Sequence, residues 1–179
     1  MKKANIRELT KISICIALLC ISSYISFPIP FSAAPITAQT IIINMIALIL
    51  TPRQSIVSVA IYILLGICGL PVFSGGTAGI GRLLGPTGGF IIGFLISAPL
   101  ISLLKGKKDS ILRYLLATIF VGMPVLYAFG TAFMCITQKM NVIAALSAAV
   151  IPFIFGDVLK CIAGSYLALA LNKVLKKSV

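Results

Sequence analysis

Six apolar segments, at about residues 10–27, 36–50, 55–70, 86–104, 111–137 and 142–171, take up most of the chain, and only a few connectors separate them. This constrains the fold more than any motif does. Backbone amides and carbonyls in hydrocarbon have no water to bond, so each segment must satisfy its own groups as a helix. A helical span takes about 20 residues, which leaves the second and third segments short and dependent on their flanks. At 60% hydrophobic and 10% charged over 179 residues, the composition is that of a membrane protein. The expectation is one all-α integral membrane domain over residues 1–179 with six transmembrane helices.

Charge orients it. With both termini in the cytoplasm, Lys2, Lys3, Arg7 and Lys11, then Arg53, then Lys105, Lys107, Lys108 and Arg113, then Lys173, Lys176 and Lys177 fall on the inner side, twelve of the fifteen basic residues. Arg82 and Lys139 remain outside and Lys160 lies within a helix. The positive-inside bias accounts for the net charge of +12, so nucleic acid is not needed to explain it. Basic residues before an apolar core, followed by Ser32, Ala33 and Ala34, imitate a secretory signal, but Pro35 argues against cleavage there. Losing the first segment would also leave an odd number of spans. On that segment Ser13 and Ala17 form a small-xxx-small pair, readable as a docking face for another membrane subunit or as ordinary packing within the chain.

Catalysis has little to draw on. Histidine is absent and Glu8, Asp109 and Asp157 are the only acids, whereas acid–base chemistry and metal sites need several such groups together. Cys15, Cys20, Cys68, Cys135 and Cys161 sit in apolar stretches without CxxC spacing and read as small buried hydrophobes. No catalytic residue, metal or cofactor is expected. The glycines around residues 76–82 lack the Lys and Ser/Thr of a phosphate-binding loop, so any ATP hydrolysis must belong to another subunit. The two halves show no inverted repeat of the kind many secondary transporters carry.

Two stretches point to a ligand. Residues 69–94 hold nine glycines and two prolines, the composition of folded non-helical backbone feeding a helix on which Gly85, Gly89, Gly93 and Ser97 form a close-packing ridge. In the last segment, with a helix beginning at Pro152 after a short helix over residues 142–149, Asp157 and Lys160 share one face. Five residues of helix place the pair about 7 Å below the helix start, under the glycine-rich loop. Intramembrane charges are costly and mark function; the competing reading is a pair that merely pins two helices. Thr37, Thr40, Asn44 and Ala47, with Gln39 beside them, make one inward face of the second segment, and Ser58, Tyr62 and Gly66 do so on the third. Gly122, Pro124, Tyr127 and Gly130 suggest a kink in the fifth. The expected pocket combines Asp157, Lys160, Gln39, Thr37, Asn44 and Tyr62 with aliphatic walls, and leaves Arg82 free to meet an anion at its mouth. It suits a small, partly apolar ligand with N–H donors and carbonyl or carboxylate acceptors.

PITAQT at residues 35–40, TPR at 51–53, YILLG at 62–66, GLPVFSGGTAGIGRLLGPTGGFIIGF at 69–94 and PFIFGDVLK at 152–160 together resemble the BioY family, the biotin-specific substrate-capture (S) components of energy-coupling factor (ECF) transporters. The resemblance implies a six-helix protein of a prokaryotic-type plasma membrane that binds biotin near the outer face. It also implies coupling to a transmembrane T component and two ATP-binding-cassette ATPases. Asp157 and Lys160 become the main biotin contacts, with Gln39, Tyr62 and the backbone of the loop at Gly75, Gly76 and Thr77 as further candidates. Phe155 stands where the family commonly has proline, APITAQT replaces PVPITLQT, and Ser13–Ala17 is an imperfect form of the AxxxA dock. The alternatives are a capture subunit for another small vitamin, a structural membrane subunit, and an intramembrane enzyme, the last opposed by the lack of a second buried carboxylate.

Overall fold

The computed structural model describes residues 6–30, 32, 34–106 and 109–177. Lys2, Lys3, Ala33, Lys107 and Lys108 lie outside the described residues, as does the side chain of Lys177. α1 (Ile6–Ser22) leads into an antiparallel ladder of two residues a side, β1 (Ser26–Phe27) with β2 (Ile36–Thr37). α2 (Gln39–Ile49) and α3 (Pro52–Ile67) follow, then the short α4 (Ile80–Leu84) and α5 (Gly88–Leu104). α6 (Ile111–Ala117) runs through a π turn (Thr118–Gly122) into α7 (Met123–Gln138), and α8 (Val142–Ala149) precedes α9 (Ile154–Lys177). Among the described residues two helices are long and apolar enough to cross a membrane, Ile111–Gln138 and Ile154–Lys176; Gln39–Ile49, Pro52–Ile67 and Gly88–Leu104 are shorter apolar helices.

Local chemistry explains several boundaries. Thr51 caps α3 with a reciprocal box: its hydroxyl accepts from the Gln54 amide, its own amide donates to Gln54 Oε1, and Pro52 opens the helix without an amide to satisfy. The kink expected around Pro124 takes the form of the π turn just before it, where a wider backbone turn accommodates a residue that cannot donate. Pro152 does not open α9. It sits in a turn in which the Phe153 and Ile154 amides both donate to the Val150 carbonyl, and the helix starts at Ile154. α4 is a helix within the stretch read as non-helical: Gly79, at φ 93°, turns the chain, and the Arg82 amide closes onto its carbonyl. Thr37 belongs to β2 and not to the α2 face.

α2 is the buried centre of the bundle, packed against α9, α5 and α1. Small residues set its distances. A Cβ on Gly164 of α9 would stand 3.0 Å from the Ile41 carbonyl oxygen and 3.1 Å from Asn44 Cβ. On α5 the expected ridge packs on α7, Gly89 against the Phe129 backbone and Gly93 against Leu126, while Gly85 precedes the helix. The C-terminal end of α2 is held by side chains from α5, its C-terminal cap included, and from α9. Lys105 Nζ donates to the carbonyls of Ala47, Leu48 and Leu50 at 3.2, 2.9 and 2.6 Å, and Ser102 Oγ donates to Leu50 at 2.7 Å. From α9, Asn172 Nδ2 donates to the Leu48 carbonyl at 3.2 Å and to Tyr114 Oη at 2.9 Å. Tyr114 in turn donates to Asp109 Oδ1 at 2.8 Å, and Lys176 Nζ meets Asp109 Oδ2 at 2.6 Å. The Lys176 bond, aided by Tyr114 against some desolvation, holds the Asp109 carboxyl below its ordinary range.

Candidate ligand-binding site

The other end of the bundle encloses a cavity. Its cover is a turn over residues 73–77, closed by Phe73 N–H donating to the Thr77 carbonyl at 2.9 Å, the reverse bond at 3.1 Å, and Thr77 Oγ1 donating to the Ser74 carbonyl at 3.0 Å. Gly75 and Gly76, at φ 73° and 68°, make the turn in a region that side chains disfavour. The Gly75 amide ties it to the Ser23 carbonyl at 2.9 Å. Phe73 anchors the turn from below: its ring lies on Gly66 of α3, where a Cβ would overlap it, and meets Tyr62 edge-on at 5.7 Å.

The walls divide by chemistry. Phe73, Phe90, Ile91, Phe94, Leu126 and Phe153 form an apolar, mainly aromatic surface. The polar lining comes from Thr37 of β2, Gln39 and Thr40 at the start of α2, Ser74 and Thr77 in the cover, Thr87, Tyr127 of α7, and Asp157 and Lys160 of α9. Asp157, 7% exposed, receives Lys160 Nζ on Oδ1 at 2.8 Å and the Tyr127 hydroxyl on Oδ2 at 2.9 Å. Each carboxylate oxygen keeps a lone pair, and the ammonium keeps N–H donors beyond the one it spends on Asp157. A ligand that offers both N–H and carbonyl groups can meet this pair while its apolar body rests on the aromatic wall. Among the described residues no group of three His, Cys, Asp or Glu side chains is placed to hold a metal ion.

The residues expected from the sequence are partly brought together. Asp157, Lys160, Gln39, Thr37 and Thr77 line the cavity. Tyr62, fully buried, is one layer behind, where its oxygen accepts from Gln39 Nε2 at 2.6 Å. Asn44 is deeper still, donating to Cys161 Sγ at 3.4 Å between α2 and α9. Gly75 and Gly76 shape the cover without lining the cavity, and Arg82 is exposed on α4 away from its wall. Ser13 and Ala17 are exposed on α1. Tyr127, Ser74 and the three phenylalanines of α5 and the α8–α9 turn were not among the expected site residues. A tyrosine in an apolar helix does demand a hydroxyl partner, but its partner Asp157 is thirty residues away, in another helix.

Known proteins resemble this chain over almost its whole length. The profile described as the BioY family matches residues 1–177. "Biotin transporter BioY" of Thermotoga maritima is 35% identical over 168 residues, covering 94% of this chain and 97% of that protein. "Biotin transporter BioY2" of Lactococcus lactis is 33% identical over 177 residues, covering 98% and 95%. The crystal structure of "the S-component for biotin from an ECF-type ABC transporter" superposes with a TM-score of 0.89 at 26% identity, over 97% of this chain and 94% of that one. With profile, relatives and fold in agreement from one end to the other, the chain belongs to the BioY family.

Proposed function

We propose that this protein is the biotin-capturing membrane subunit of an ECF-type ABC transporter in the plasma membrane, and not an enzyme. The observation that carries the reading is the Asp157–Lys160 pair, braced by Tyr127, in the wall of a covered, largely aromatic cavity of a chain whose full-length relatives are named biotin transporters. Biotin has the matching division of character: a ureido ring with two N–H donors and one carbonyl, an apolar thioether ring and chain, and a carboxylate. In this reading Asp157 accepts a ureido N–H, and Lys160 donates to the ureido oxygen or to the carboxylate. Six spans cross the bilayer with both termini in the cytoplasm, supported by the positive-inside bias and by the S-component fold. The cavity then opens toward the outer face beneath the turn over residues 73–77.

A T component and two ABC ATPases supply the energy, since this chain carries no Walker motif. Ser13 and Ala17 on the exposed face of α1 are where the T component docks, because small residues let helices approach closely in lipid. The test is calorimetric titration of the purified chain in detergent with biotin, and with riboflavin and thiamine as controls. Tight binding of biotin alone, without ATP, is the expected result. Binding of another vitamin in preference, or of none by a folded, monodisperse sample, overturns it.

A further inference from the structure

A second concave surface lies at the Lys105 end, opposite the ligand cavity. It is a groove of about 320 Å³ between the C-terminal end of α5 and α6, lined by Leu104, Gly106, Arg113, Leu116, Ala117 and Val121. None of these residues lines the ligand cavity. Its shape follows from the π turn. A Cβ on Gly122 would stand 2.8 Å from Ile101 Cδ1, so α5 closes on the turn at that level. Toward the connector, α6 packs more on α9, where Asn172 Nδ2 donates to the Tyr114 oxygen, than on α5. The groove occupies the wedge between the Gly122 contact and the connector.

Chemistry divides the wedge along its length. Arg113, in the first turn of α6, stands at the mouth, and Leu116, Ala117 and Val121 continue the wall. At 1.5 Å per residue, Val121 lies about 12 Å further along the helix than Arg113. In a span that begins at Ile111, this runs from the headgroup level into the roughly 15 Å of hydrocarbon in one leaflet. The guanidinium is exposed, and among the described residues it has neither a hydrogen bond nor an ion pair. Asp109, the acid nearest to it in sequence, is taken by Tyr114 and Lys176. Gly106, at φ 76°, lies against the guanidinium: a Cβ there would stand 2.9 Å from Arg113 Nη1. An arginine at the inner end of a span is also what the positive-inside bias produces. Arg53 is such a residue, exposed near the start of α3 and outside the groove. Arg113 differs in having an apolar channel leading away from its charge.

We propose that this groove is a site for an anionic phospholipid, with the phosphate on Arg113 and an acyl chain along Leu116, Ala117 and Val121. A guanidinium can hold a phosphate through two parallel N–H···O bonds. A zwitterionic headgroup cancels part of that attraction with its own ammonium, and a free phosphate leaves the apolar wall uncovered. The inference rests on the orientation proposed above, which puts this end at the inner leaflet, where anionic headgroups attract basic residues.

The experiment is native mass spectrometry of the full chain in detergent, titrated with dioleoyl phosphatidylglycerol, dioleoyl phosphatidylcholine and glycerol phosphate. The wild-type chain is expected to hold one phosphatidylglycerol about tenfold more tightly than phosphatidylcholine, the size of one charge-assisted bond. Arg113→Gln, at an exposed and unpaired position, is expected to bring phosphatidylglycerol down to the phosphatidylcholine level. Arg53→Gln is expected to stay within about twofold of wild type, and Leu116→Asn to weaken both lipids. Equal losses in Arg113→Gln and Arg53→Gln would reduce the effect to general surface charge and overturn the site. No preference for phosphatidylglycerol in the wild-type chain overturns it without any variant. Displacement of the lipid by glycerol phosphate at equal concentration also overturns it, since the acyl chain would then contribute nothing. Binding in detergent requires neither biotin nor a particular leaflet, so failure here leaves the function and orientation proposed above standing.

Discussion

α2 and α9 run side by side through the protein and carry polar groups at both ends, but the two ends use them differently. At the Lys105 end each group is met by protein: one ammonium caps three carbonyls, Asn172 bridges Leu48 to Tyr114, and Asp109 receives Tyr114 and Lys176. At the Asp157 end the accounting is incomplete. Lys160 meets one carboxylate oxygen, Gln39 lines the cavity with its amide nitrogen bonded to Tyr62, and Ser74 Oγ has no partner. Saturated polar groups lock helices together, whereas unsaturated ones beside an apolar cavity await something else. Buried polar groups are nearly always paired, so the unpaired Ser74 hydroxyl beside the cavity sets this end apart from the saturated one.

The largest effect expected from this contrast is at Asp157. Asp157→Asn removes an acceptor-only carboxylate, and charge-assisted bonds are worth about 1.5–3 kcal/mol each, so biotin affinity should fall by about tenfold to a hundredfold. Calorimetry reads the affinity and thermal unfolding of the ligand-free protein reads the fold. A large loss of melting temperature with unchanged affinity would make this end as structural as the other. Lys105→Met should behave in the opposite way. It leaves the last carbonyls of α2 without their donor and should cost about 1–3 kcal/mol of stability, while biotin affinity stays within about twofold of wild type.

The smallest effect concerns Asp109. Its carboxyl is held below the ordinary value by Lys176 and Tyr114, so its contribution is present above the usual carboxylate pKa of about 4 and is lost as the pH falls through the lower folded value. The Lys176 side chain is largely exposed, which limits the pair to less than about 1 kcal/mol. Melting temperature should therefore fall slightly more steeply in acid for wild type than for Asp109→Asn. Equal slopes would assign the closure of that end to Lys105 and Asn172.

Much of the site was legible because charge inside an apolar segment is rare. Asp157 and Lys160 stood out for that reason, three residues apart on one helix, and they share the cavity wall. The glycine-rich stretch was legible as a turn over a site, and its residues Ser74 and Thr77 line the cavity beneath. Tyr127 was not legible, because a tyrosine in an apolar helix has several inward directions open to it, and its hydroxyl partner Asp157 lies on another helix. Tyr62 and Asn44 were legible as inward-facing but not as second-layer groups, since periodicity assigns a face of a helix and not a depth.

By itself the sequence determined the class of fold, because hydrocarbon obliges apolar segments to be helical. It also singled out Asp157, Lys160, Gln39 and Thr37 among the residues that line the cavity. Only the tertiary structure decided which of the expected residues reach it. That choice depends on how closely α9 approaches α2 at Gly164, on Phe73 resting against Gly66, and on Tyr62 and Val72 using up the Gln39 amide donors, all contacts between residues far apart in the chain.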